Sequence, residues 1–357
     1  MENSKKWWFT RISNVSKKDA INSIKSNNFT QGPNTNLVES KLSKIFNKPI
    51  IFTQNGTSAI LMAILSLGLK KNDEIIIPNF GWIATLQPLI LLGIKFILID
   101  ISKDVPNINI KTVKKKISKN TKAIIFVHFH GHTNNSLEIS KFCKKRKIFL
   151  IEDACKAIMS KTENNKFAGT LGDIGCFSTG MISLLNTGYG GFIIVNNKKY
   201  EKNLRLIKDH GCIRQKEKYP LLGLNFKTSD ILASFLSNQI DKIYSKINKL
   251  NKIYNMYKKI KNPRIKILSY KKNEVPLCID LYCEKISKIK KIFRYHKIPF
   301  IGLHKPFNQV EFLKIASNKK FINSEKFYKK TIMPPCGPDQ DIKIINKTIK
   351  LLNNCKI

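Results

Sequence analysis

The sequence is short of arginine. Among 64 basic residues in 357, six are Arg: Arg11, Arg146, Arg205, Arg214, Arg264 and Arg294. Proteins that read phosphates and base edges favour the bidentate guanidinium fork. The formal charge of +40 therefore does not by itself mark a nucleic-acid binder. The lysines run along the whole chain beside Ile and Asn, as compositional drift would place them, and at most help attract an anionic substrate. The eight cysteines include no CxxC pair and no metal-ligand spacing. That argues against a disulfide scaffold and suits a reducing compartment; Cys155 and Cys176, in apolar runs, read as small buried hydrophobes. No run approaches the roughly 20 apolar residues of a membrane span. Met1 to Phe9 lacks an apolar core of signal-peptide length. The expectation is a soluble, cytoplasmic protein with no internal repeat and no low-complexity linker.

What is present is an alternation of strands and helices. Hydrophobic residues make up 42%, enough for a sizeable core at this length. Apolar runs at 50–53, 74–77, 95–100, 123–127, 148–152, 174–177 and 192–195 read as strands. Helical patterns occupy 17–27, 35–47, 57–69, 82–92, 110–118, 136–146 and about 229–260. The strands are continuous Ile/Val/Phe runs, so both faces are buried. That predicts an α/β protein with a mostly parallel seven-stranded sheet covered by helices on both faces. A large domain is expected over 1–245 and a smaller C-terminal α+β domain over 246–357.

Ligands of such sheets bind beyond the carboxyl ends of the strands, and five stretches fall there. Asn55-Gly-Thr-Ser-Ala59 turns from a strand into a helix, where free N–H groups make an anion site or an ordinary N-cap. Pro78-Asn-Phe-Gly-Trp82 puts Trp82 at a cavity rim or in the core. Glu152-Asp-Ala-Cys-Lys156 ends a buried strand on a carboxylate that needs a partner: a protonated ring nitrogen, a salt bridge or a helix cap. His128-Phe-His-Gly-His132 resembles a metal cluster, but alternate residues point to opposite faces, so no metal is expected and His128 is expected to face the cavity. Phe177 to Gly191 is a loop rich in hydroxyls, with Gly188, Gly190 and Gly191 free to adopt positive φ. Gly169-Thr-Leu-Gly172-Asp-Ile-Gly175 mimics a nucleotide fingerprint but precedes a strand, so it reads as a turn.

In this order and at these spacings the pieces resemble the sugar aminotransferase family often called DegT/DnrJ/EryC1/StrS, whose members are fold-type-I pyridoxal 5′-phosphate (PLP) enzymes. The resemblance spans nearly the whole chain, from Phe29-Thr-Gln-Gly32 through Gly223-Leu-Asn-Phe226 to Pro335-Cys-Gly-Pro338. It implies that Gly56, Thr57 and Ser178 bind the cofactor phosphate, that Trp82 stacks on the pyridine ring, and that Asp153 pairs with its nitrogen. It implies a homodimer in which Asn225 reaches the cofactor phosphate of the neighbouring subunit. His304, Lys305 and Pro335 to Pro338 are expected to face the substrate, a nucleotide-linked keto-deoxysugar aminated with glutamate as donor, in surface-polysaccharide or amino-sugar synthesis.

Two departures stand out. Counting from Phe177 and back from Gly191, the family's Schiff-base lysine falls on Ser183, and Phe177 to Gly191 holds no lysine at all. A serine hydroxyl cannot take over that bond and is a weak base without an activating partner. Lys156 stands where the family usually has Gln. The sequence leaves open a lysine-less homologue that binds PLP or its amino form noncovalently, a relative of the sugar dehydratases that carry His at the lysine position, a silent sugar-nucleotide-binding protein, a partial replacement of the amine by Lys156, or a serine introduced at position 183.

Overall fold

The computed structural model describes residues 6–313 and 320–356. Helices α1 (Asn14–Lys25) and α2 (Pro33–Phe46) come first. Asp230 caps α2 from a distance: its carboxylate accepts from the amides of Gly32, Asn34 and Thr35 at 3.0, 3.2 and 2.8 Å. A buried carboxylate at a helix N-terminus satisfies amides that have no partner inside the helix and meets the positive end of its dipole.

The alternating region follows: β1 (Ile50–Thr53), α3 (Gly56–Ser66), β2 (Glu74–Pro78), α4 (Gln87–Leu91), β3 (Lys95–Ile99), α5 (Ile110–Lys114), β4 (Thr121–Val127), α6 (Ser136–Arg146), β5 (Phe149–Asp153), β6 (Ile174–Ser178), β7 (Gly191–Val195) and α7 (Glu201–Lys208). The seven strands lie in the order β1-β7-β6-β5-β4-β2-β3. β7 runs antiparallel to both neighbours, and the other neighbouring pairs are parallel. Side chains alternate across the sheet. Ile51, Ile77, Ile125, Ile151 and Ile193 pack with α3, α4 and α7 on one face. Phe52, Phe192 and Ile194 pack with α2 on the other, where Ile124, Phe126 and Leu150 meet α5 and α6.

Two expected helices differ. The segment expected helical over 82–92 is a 3-10 turn, Ile83–Thr85, followed by α4. Pro88 sits in the first turn of α4, the place in a helix where a missing N–H does no harm. The helix expected over 229–260 is two, α8 (Asp230–Asp241) and α9 (Ile243–Tyr257), meeting at Lys242. α7 was not legible as a separate pattern.

After α9 come β8 (Lys266–Ile267), β9 (Leu281–Tyr282), α10 (Ile286–Tyr295), β10 (Ile301–Gly302), α11 (Ile322–Lys330), β11 (Thr331–Met333) and α12 (Ile342–Asn354). The four short strands form a second, antiparallel sheet, β10-β11-β9-β8. Pro335–Pro338 is buried: the Cys336 carbonyl accepts from Phe9 N at 3.1 Å, and the Pro335 carbonyl from the Tyr257 hydroxyl at 2.8 Å. This segment packs against the N-terminal strand-like residues instead of lining an open face, because its carbonyls are taken up inside.

Candidate active site

Because β1, β2, β4, β5 and β6 are parallel, their carboxyl ends share one edge of the sheet. Asn55, Asn79, His128, Asp153 and Ser178 stand at or just past those ends, and Gly191 of the reversed β7 begins there.

At the end of β1, Asn55 caps α3, its side chain accepting from Ser58 N at 2.8 Å. The amides of Gly56 and Thr57 remain as donors of the first turn with no acceptor inside the helix. A Cβ on Gly56 would stand 2.7 Å from Cys155 Sγ and 3.1 Å from Ser178 Cβ. The absence of a side chain therefore lets the helix start, Cys155 and Ser178 meet. The resulting donor set, two amides and the hydroxyls of Thr57 and Ser178 at the positive end of an eleven-residue helix, suits a phosphate.

Asp153 ends β5 and is 6% exposed. Thr85 Oγ1 donates to its Oδ2 at 2.6 Å and Cys155 N to its Oδ1 at 3.2 Å. Among the described residues no cation is within ion-pair distance of it. A buried carboxylate with two neutral donors and no ion partner suits a cationic ring nitrogen. The sequence pattern does not single out Thr85, which falls within the segment expected helical over 82–92 and lies instead in the 3-10 turn Ile83–Thr85.

Trp82, 56% exposed, immediately precedes the 3-10 turn, and its ring lies 4.3 Å from that of His304 at 62°. Burial holds the His304 imidazole below its usual range, and the charges of His130 and Lys156 push the same way. Lys305 is exposed and ion-paired with Glu311. Asn225 is exposed, in a segment hooked to the β1 end by Gln54 N donating to Phe226 O at 3.1 Å.

In the loop after β6, Ser183 is buried, 1% exposed, and its hydroxyl donates to Ser178 O at 2.8 Å. Of the loop glycines, Gly188 has positive φ (+79°). Gly190 and Gly191 do not, contrary to expectation; they are required for close approach, since a Cβ on either would fall 2.3 Å from Thr179 Oγ1 or 2.5 Å from the Asn55 carbonyl carbon.

Lys156 is partly buried, and its Nζ donates to Ile182 O, the residue before Ser183. Burial lowers its pKa, against the pull of Cys278, Cys155 and Asp153. A second lysine, Lys246, donates to Leu184 O at 3.1 Å and to Gln239 Oε1 at 2.7 Å; burial brings it down to about 8.

The three histidines separate, each to its own carboxylate. His128 Nε2 lies 2.8 Å from Glu152, His130 Nδ1 2.9 Å from Asp280, and His132 Nδ1 3.3 Å from Glu274. His128 does not face the cavity. It is 1% exposed and held between Glu152 and the His132 carbonyl, since the chain turns over at Phe129–Gly131. Glu152 also accepts from the amides of Gly169, Leu171 and Gly172 at 2.9, 2.6 and 2.7 Å, so the glycine-rich stretch is a turn folded on a carboxylate. Among the described residues no three His, Cys, Asp or Glu side chains are arranged to hold a metal.

The profile of the DegT/DnrJ/EryC1/StrS aminotransferase family matches residues 11–352. Over 214 residues the chain is 30% identical to GDP-perosamine synthase of Escherichia coli O157:H7, an alignment spanning 60% of this chain and 58% of that protein. It is 36% identical over 203 residues to GDP-4-keto-6-deoxy-D-mannose 3-dehydratase of Escherichia coli O55:H7, spanning 55% and 52%. The fold superposes on Helicobacter pylori PseC, an aminotransferase of pseudoaminic acid biosynthesis, with a TM-score of 0.90 at 23% identity and 97% of each chain covered. The chain has the aminotransferase fold and belongs to the DegT/DnrJ/EryC1/StrS aminotransferase family, whose enzymes depend on PLP.

Proposed function

We propose that this protein, as a cytoplasmic homodimer, binds PLP or its amino form and moves an amino group from glutamate to a nucleotide-linked keto-deoxysugar, in amino-sugar or surface-polysaccharide synthesis. The observation that carries the reading is Asp153: a buried carboxylate at the sheet's carboxyl edge, held by Thr85 and Cys155 N with no ion partner among the described residues. The amides of Gly56 and Thr57 with Ser178 hold the phosphate, Trp82 covers the ring, and Asn225 comes from the other subunit. Asp153 keeps the ring nitrogen protonated. When bound, the cofactor withdraws electrons from the carbon next to the transferred nitrogen. Trp82 and His304 close one rim and line the path of the sugar, with Lys305 beyond them. Domain 1–245 supplies Asp153 and Trp82, and domain 246–357 supplies His304.

Ser183 does not bond the cofactor. Its hydroxyl is taken up by Ser178 O. That observation favours a second reading, removal of a sugar hydroxyl with the amino form of the cofactor, which is the reaction type named for the dehydratase relative. The test is incubation of the purified chain with PLP, glutamate and GDP- or UDP-linked 4-keto-6-deoxysugars. Amino-sugar product supports the first reading and deoxygenated keto-sugar the second. Absence of both, with the sugar nucleotide still bound, contradicts both and leaves a binding protein.

A further inference from the structure

We propose that Lys156 supplies the primary amine that bonds the cofactor, in place of the residue at 183. The inference rests on the reading of the site as a PLP site and concerns which side chain engages the cofactor.

Two lysines from outside the loop reach the backbone on either side of Ser183. Lys156 donates to Ile182 O and Lys246 to Leu184 O. They differ in surroundings. Lys246 is enclosed: its amine is shared between Leu184 O and Gln239 Oε1, and the nearby charges are those of Asp339 and Lys249, away from the strand ends. Lys156 lies three residues past Asp153 and remains partly exposed, as does Cys155 beside it. The charged and titratable groups that act on Lys156 are Cys278, Cys155 and Asp153, and its own charge is felt by His130 and His304. These include the carboxylate proposed for the ring nitrogen and the histidine whose ring meets Trp82 edge-on. The amine is thus on the Asp153 side of the loop, next to the backbone of residue 183.

A lysine desolvated in this way has more of its uncharged, nucleophilic form near neutral pH. Nζ attacks the aldehyde carbon of PLP; a C=N bond replaces C=O, and the oxygen leaves as water with the two amine protons. An incoming primary amine reverses the bond by the same exchange, with no oxidant or reductant. Leaving Ile182 O costs Lys156 one hydrogen bond, and the carbonyl beside residue 183 is freed to water or substrate.

The test is reductive labelling of the full chain. One equivalent of PLP is added, borohydride follows, and the labelled peptide is identified by mass spectrometry, with the visible spectrum recorded before and after. The expected result is a band erased by reduction and a label on Lys156, lost in Lys156→Ala. A label on Lys246 or another lysine overturns the inference. A bound cofactor whose spectrum borohydride does not fix to any lysine also overturns it, while leaving the cofactor site intact. Failure to bind PLP at all overturns both the inference and the site it rests on. Labelling of the parent chain decides the matter even if Lys156→Ala does not fold.

Discussion

The Ser183 hydroxyl donates to the Ser178 carbonyl at 2.8 Å across the mouth of the loop. This bond fixes a buried small side chain at the position that the family resemblance assigns to the reactive amine. Ser183→Lys removes the bond and places an amine at the same backbone position. The expected outcome is a new absorbance band with added PLP, abolished by borohydride and mapped to residue 183. Persistence of the parent spectrum would show that the loop register places residue 183 away from the cofactor.

Asp153→Asn keeps the shape of the side chain and its contact to Thr85 but removes the negative charge offered to the ring. Turnover is expected to fall by about 100-fold or more, the scale of one preorganised charged group at a reaction centre. Steady-state kinetics with saturating cofactor measures this. A fall of less than a few-fold would separate Asp153 from the chemistry.

Trp82 is more than half exposed and supports little of the core. Trp82→Ala is expected to change unfolding free energy by no more than about 0.5 kcal/mol. Cofactor affinity should weaken by up to about tenfold, the scale of one lost ring stack. Denaturant unfolding and cofactor titration are the two measurements.

Glu152 holds three backbone amides and His128 in the interior. Glu152→Ala strands those donors, and each unsatisfied buried donor costs about 1–3 kcal/mol. A loss of at least about 3 kcal/mol is expected, read as a lower denaturant midpoint. The Gly169–Gly172 turn is expected to exchange its amide hydrogens faster before the sheet does.

Glu274 carries a pH dependence. Burial works against its charged form, but the hydrogen bond and charge of His132, with the amides of Thr133 and Lys271, outweigh it and bring the carboxyl from 4.5 down to about 2. A depressed folded-state pKa gives stability that is present above pH 4.5 and lost as pH falls toward 2. The contribution is about 3 kcal/mol. Unfolding free energy measured between pH 5 and pH 2 is expected to fall less steeply in Glu274→Gln than in the parent.

The sheet was legible because its strands are continuous apolar runs between turn residues; strand ends placed Gly56 and Asp153 at one edge of the sheet, whereas Ser178 was named from the family resemblance alone. What the sequence hid was set by tertiary contacts. Thr85 reaches Asp153 only because Pro88 breaks the helix and leaves Ile83–Thr85 as a tight turn. His128 turned inward because Glu152, the neighbour of Asp153 on the opposite face, already folds the 169–172 turn and has room for one more donor. The two lysines at the loop come from positions 27 and 63 residues away from Ser183, and no local pattern announces either approach.

The central claim is that the site takes PLP although residue 183 offers no amine. Equilibrium titration of the purified chain with PLP, followed by absorbance and confirmed by dialysis, tests it most directly. The account predicts saturable binding of one cofactor per chain, weakened in Asp153→Ala and lost when phosphate is removed from the cofactor. Absence of saturable binding, or equal binding by the parent and Asp153→Ala, would contradict it.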